Sequence, residues 1–165
     1  PVAPRPAAPF HTWLAAQTDR DDRIGDLAGA YTAGVDSSSN SIANKPDELL
    51  DILHDDNASF DAYDSAVDAI TEWFRIAPDT EPLRTRHIHS TTEEVTDPPG
   101  YSGDVERHLY MCPCSRGELI EEHDNIAGFR EHSLTIDCDT CRAAWEEAPG
   151  RPVRTWGLIP KQPTT

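Results

Sequence analysis

Lysine and methionine are almost missing from this 165-residue chain: Lys45 and Lys161 are its two lysines and Met111 its one methionine. Basic charge is scarce too, with 14 Lys and Arg against 30 Asp and Glu, a formal net charge of −16. A body this acidic repels polyphosphate and anionic lipid surfaces, which excludes non-specific nucleic-acid or membrane-surface binding. No run approaches the ~20 consecutive apolar residues of a membrane span. No apolar segment follows a basic start, so a secretory leader is not expected and the cytoplasm is the expected setting. A Gly-rich phosphate loop and a G-x-S-x-G nucleophile elbow are both lacking.

What is present suffices for a compact core: 37% hydrophobic residues, including four Trp, four Tyr and four Phe. The charge is unevenly spread. Residues 10–77 hold 14 acids and 4 bases, whereas the ends, 1–9 and 149–165, hold four bases and no acid. Residues 1–9 carry four prolines and no apolar period, and read as a flexible or polyproline-like arm. The tail 149–165 is also Pro-rich, but its Val153, Trp156, Leu158 and Ile159 are suited to packing as an extended strand.

Residues 10–77 have a helical period. Phe10, Trp13 and Leu14 form one short apolar stripe. Asp22 is placed to cap a helix whose Ile24, Leu27, Ala28 and Tyr31 share a face, with Gly34 as its stop. Asn44, Pro46, Asp47 and Glu48 open a third helix with Leu49, Leu50 and Leu53 inward. Ser59 caps the longest, in which Phe60, Tyr63, Ala66, Val67, Ile70, Trp73 and Phe74 keep a 3–4 spacing until Pro78 ends it.

Phe10-His-Thr-Trp13-Leu, Asp19-Arg-Asp-Asp22-Arg-Ile-Gly25-Asp-Leu27-Ala and Phe60-Asp-Ala-Tyr63 leading to Trp73 resemble the YozE-type SAM-like domain of small bacterial proteins, over about residues 10–76. The resemblance implies a small orthogonal helical bundle of the SAM-like kind. It implies no catalytic residue.

From Leu83 the period becomes 2, with Leu83, Thr85, His87 and His89 alternating with Arg84, Arg86, Ile88 and Ser90. Residues 105–111, 119–120 and 129–137 also read as strands, and Asp97-Pro-Pro-Gly100 as a turn or linker. The expected class is therefore α+β. Its parts are the arm 1–9, the bundle 10–77, a linker and strand 78–104, a β-rich zinc-ribbon-like module 105–148, and the tail 149–165.

All four cysteines lie in that module, as Cys112-Pro-Cys114 and Cys138-Asp-Thr-Cys141, with 23 residues between the pairs. Two short-spaced pairs at strand ends deliver four soft ligands to one tetrahedral ion, so structural Zn2+ is the expected cofactor. Gly117 is expected to supply a left-handed residue to the first knuckle. The stretch from Cys112 through His123 and His132 to Cys141 is similar to zinc-ribbon tails of other uncharacterised bacterial proteins. Disulfides, or His108 or His132 in place of one cysteine, are the alternatives, and a reducing compartment weighs against the disulfides. Four thiolates close the coordination sphere, leaving no position for water activation.

Other constellations are weaker. His87-Ile-His89 places two imidazoles on one strand face, which reads as ordinary surface. His123, Asn125 and His132 use HNH-nuclease vocabulary at the wrong spacing. Asp61, Asp64, Asp68 and Glu72 step by 3, 4 and 4 and make a negative stripe opposite Phe60, Val67, Ile70 and Phe74. The stripe is either a solvated face or an interaction surface imitating DNA phosphates. The resulting expectation is a non-enzymatic, acidic zinc protein acting as an adaptor or regulator through contact with another protein. The alternatives are a DNA-mimic inhibitor of phage or plasmid type, or a regulator that reads nucleic acid through the ribbon.

Overall fold

The computed structural model describes residues 9–96 and 102–163. The chain divides into two compact units, Pro1–Glu81 and Pro82–Thr165. The first is helical and the second β-rich, so the class is α+β. Apart from Pro9, the arm 1–9 lies outside the described residues, as does the turn read at 97–100.

In the first unit, helices α1 (Phe10–Ala15), α2 (Arg23–Asp36), α3 (Pro46–Asp55) and α4 (Phe60–Ile76) follow one another. Asp22 accepts from the Gly25 N–H at 3.0 Å and Ser59 Oγ from the Ala62 N–H at 3.3 Å, so both expected caps form. At α3, Glu48 reaches back to the N–H groups of Asn44 and Lys45, and Pro46 occupies the first turn, where no N–H is missed. Gly34 does not stop α2, which runs on to Asp36. Its bare backbone instead admits Asn40, whose side-chain amide would sit 2.2 Å from an added Cβ, while Ser38 takes the left-handed φ of 60°.

The core of this unit is aromatic. Trp73 of α4 meets the rings of Phe10 and Trp13 at 5.6 Å each, and Tyr31 ties α2 to its surroundings through His11 Nδ1 at 2.7 Å and the Ala43 N–H at 2.9 Å. Phe60 departs from the expected inner face. It is 55% exposed at the first position of α4, and Val67 is half-buried; the buried face is Tyr63, Ala66, Ala69, Ile70, Trp73 and Phe74.

In the second unit, β1 (His87–Val95), β2 (Gly103–Met111), β3 (Glu118–Asp124) and β4 (His132–Asp137) form an antiparallel sheet in the order β1-β2-β3-β4. A short helix α5 (Asp139–Ala144) follows, then β5 (Trp145–Glu147), a 3₁₀ turn (Val153–Thr155) and β6 (Leu158–Pro160), which pairs with β5. The strand in 78–104 is thus a full member of the sheet. Leu83 and Leu158 exchange both backbone hydrogen bonds at 2.8 Å, joining the start of the unit to its end. The tail packs: Trp156 and Leu158 are buried, and Trp156 meets Tyr110 edge-on at 4.9 Å. A register shift between His87 and His89 marks a bulge in β1. Paired residues of an antiparallel sheet share a face, so His87 (opposite Tyr110) joins the face of Tyr110, His108 and Glu106. His89 (opposite Leu109) takes the other face. The expected two-imidazole face is therefore broken by one extra residue.

Candidate metal centre

The first cysteine pair sits in the turn between β2 and β3. There Ser115 donates its N–H to the Cys112 carbonyl at 2.9 Å, and Gly117 directs its own N–H to Cys112 Sγ at 3.1 Å. The left-handed residue of this knuckle is Ser115, with φ 63°, and not Gly117 as expected from sequence. Gly117 is needed for a different reason: a Cβ there would lie 2.5 Å from the Asp137 carbonyl and 2.7 Å from Cys138 Cβ. Its missing side chain lets the end of β4 pass close beside the knuckle, which carries Cys138 toward the first pair. Cys138 precedes α5 and Cys141 lies in its first turn, where the Arg142 N–H bonds the Cys138 carbonyl at 2.8 Å.

All four sulfur atoms lie within 4.8 Å of one another, with Cys112 to Cys114 at 3.4 Å and Cys114 to Cys138 at 3.5 Å. The four cysteines are free thiols, and three are buried, Cys138 being half-buried. A tetrahedral zinc site with bonds of about 2.3 Å places its sulfurs about 3.8 Å apart, so the cluster fits a divalent ion with little rearrangement. His108 and His132 are not part of it.

Ionisation behaviour agrees with that fit. The Cys112 thiol is lowered to about 5, first by the hydrogen bond from Cys141, against burial, and further by the Gly117 N–H and the other two cysteines. Burial raises Cys114 to about 11, and the Cys112 thiolate together with burial pushes Cys141 well up. Without a cation, ionising Cys112 thus opposes ionising its neighbours Cys114 and Cys141. Ionising all four requires a divalent charge at their centre.

A second buried polar group lies on the inner sheet face. Glu121 and His123, respectively 3% and 0% exposed, are joined by Glu121 Oε1 and His123 Nε2 at 2.9 Å. Glu121 Oε2 accepts from the Tyr110 hydroxyl at 2.9 Å and from Trp156 Nε1 at 3.2 Å. Arg84 stacks over Trp156 at 4.2 Å and stands 3.8 Å from the same carboxylate oxygen. Burial raises the Glu121 carboxyl, but the hydrogen bonds from His123 and Tyr110 and the charge of Arg84 outweigh it and hold it below the ordinary range. His123 Nδ1 and His132 Nδ1 lie 2.7 Å apart, one ring donating to the other, so the buried pair is continued to the edge strand β4. Asn125 is engaged elsewhere, donating to Asp104 Oδ1 at 2.8 Å. Sequence reasoning missed this group because Glu121 and His123 alternate like solvent-facing strand residues, and their cover comes from Arg84 and Trp156, far away in the chain.

The acidic stripe of α4 is partly neutralised within its own unit. Glu72 pairs with Arg20 at 2.6 Å and Asp68 with Arg23. Asp64 is half-buried and Asp61 is exposed in the first turn. No helix among the described residues is long and apolar enough to cross a membrane. Comparison of the chain with protein-family models, with curated proteins and with solved structures found no match.

Proposed function

We propose that this chain is a non-enzymatic zinc protein that acts through contact with another protein, its thiolate cluster holding one structural Zn2+. The observation that carries this reading is the set of four converging sulfurs, of which three are buried. Soft thiolates in a tetrahedral set select zinc over the hard cations, and four of them leave no exchangeable position for a substrate or water. The second unit is read as a zinc-ribbon-like module on its paired knuckles, and residues 10–76 as a SAM-like interaction bundle on the residues quoted above. A DNA-mimic role has less support, because two carboxylates of the stripe already bind the guanidinium groups of Arg20 and Arg23.

Elemental analysis of protein purified under reducing conditions tests the metal; one equivalent of zinc is expected, and less than half an equivalent of zinc or iron sinks the site. Affinity capture from the native cytosol tests the role, with a stoichiometric protein partner expected. Mobility shift on duplex and single-stranded DNA at low salt is expected to show no complex. A salt-sensitive complex would favour the nucleic-acid regulator.

A further inference from the structure

The bulge in β1 assembles a second constellation, one that contains no cysteine. It turns His87 onto the inner sheet face beside Ser90, which lies opposite His108 on β2. His87 Nε2 and His108 Nδ1 each approach Ser90 Oγ to 2.6 Å. Two imidazole nitrogens from different strands thus converge on one hydroxyl. A serine hydroxyl has one hydrogen, so it donates to one ring and accepts from the other. Ser90 turns about a single side-chain bond, and can join or leave that central point at small cost.

We propose that His87 and His108, with Ser90 between them, form an open site for a borderline divalent transition ion such as Ni2+, Cu2+ or Zn2+. The donor set fixes the class: imidazole nitrogen suits these ions, whereas Mg2+ and Ca2+ call for oxygen ligands. Both rings are held in place before any ion arrives. His87 packs edge-on against Tyr110 at 5.3 Å, and His108 lies 6.1 Å from the ring of His123. His108 Nε2 faces Glu106 Oε2 at 4.0 Å, and that carboxylate is anchored by Arg154 at 2.7 Å. His87 and Ser90 are exposed and the His108 side chain is 25% exposed, so water can complete the coordination. This is the opposite of the closed thiolate cluster: an exchangeable site with vacant positions. It does not depend on the zinc reading.

The test uses the full chain carrying one equivalent of zinc, titrated with Ni2+ by calorimetry and by proton NMR of the histidine rings. One nickel equivalent is expected, broadening two ring signals that are the ones absent from His87→Gln and His108→Ala. Each of these variants should weaken binding by about tenfold or more, and His89→Ala should leave it unchanged. His87 is exposed, so His87→Gln keeps the test valid even where His108→Ala perturbs folding. The proposal is overturned by no nickel uptake, by undiminished uptake in the double variant, or by uptake matched by zinc release, which would place the nickel in the thiolate cluster.

Discussion

Stripping the metal should unfold the β-rich unit while leaving the helices standing. An ion held by the four cysteines would link the knuckle at Cys112 and Cys114 to the start of α5 at Cys138 and Cys141, closing a loop of about 25 residues from Cys114 to Cys138. Treated as a cross-link, such a loop restricts the unfolded chain by about 3.5 kcal/mol near room temperature. That figure omits the coordination bonds themselves. It is already a large part of what a unit this small can hold in reserve, since whole domains rest on about 5–15 kcal/mol. Trp145 and Trp156, both 1% exposed, report on this unit, and Trp145 directly follows α5. A strong chelator should shift tryptophan emission to the red and flatten the near-ultraviolet dichroism, while the 222 nm signal of α2, α3 and α4 persists. Cys138→Ser should reproduce much of the effect without chelator. If chelated, fully reduced protein keeps its near-ultraviolet spectrum and its urea midpoint, the metal does not organise this unit and the reasoning fails.

Three other outcomes follow from the same geometry. Gly25→Ala places a Cβ 2.0 Å from the Arg20 carbonyl oxygen, and should cost the helical unit about 1–3 kcal/mol in urea unfolding followed at 222 nm. Glu121→Leu leaves the Tyr110 hydroxyl, Trp156 Nε1 and His123 without their shared acceptor, and should destabilise the β-rich unit by about 3 kcal/mol, read from tryptophan emission. Since the folded state holds the Glu121 carboxyl below its ordinary value, its contribution is complete above the ordinary glutamate range and fades as pH falls through the lower folded value. The acid limb of stability should therefore be shallower in Glu121→Leu, as measured by urea midpoints across pH 3–7. Deleting residues 153–163 removes β6 and Trp156 and should make the remaining unit sensitive to brief proteolysis, with a loss of about 3–5 kcal/mol for Trp156→Ala alone.

Much of the helical unit was legible from local rules. Asp22 and Ser59 announce helix starts because their side chains meet backbone N–H groups only three residues on, and Pro78 announces an end for an equally local reason. The cysteine cluster was legible as well, because a pair at two- or three-residue spacing brings its own sulfurs together whatever lies between the pairs. What escaped the sequence is non-local. The bulge that separates His87 from His89 is set by pairing with β2, which a period-2 pattern presumes to be regular. Helix α5 buries only Cys141, so its six residues carry no apolar stripe of the kind that marks α1. At Gly117 the sequence points to a left-handed turn, whereas the residue is needed because Asp137 and Cys138 crowd it from the far end of β4. Phe60 fits the core spacing, yet that spacing carries no information about where the packing neighbours stop, and the ring is exposed.

The reciprocal hydrogen bonds between Leu83 and Leu158 hold the first and last segments of the β-rich unit side by side. Its polypeptide enters and leaves at adjacent points, so the unit needs only a narrow gap in a host chain to be accommodated. Insertion of the unit into a surface loop of an unrelated protein, or joining its old ends and opening new ones in the turn around Gly128 (φ 86°), should therefore leave its strand pairing intact.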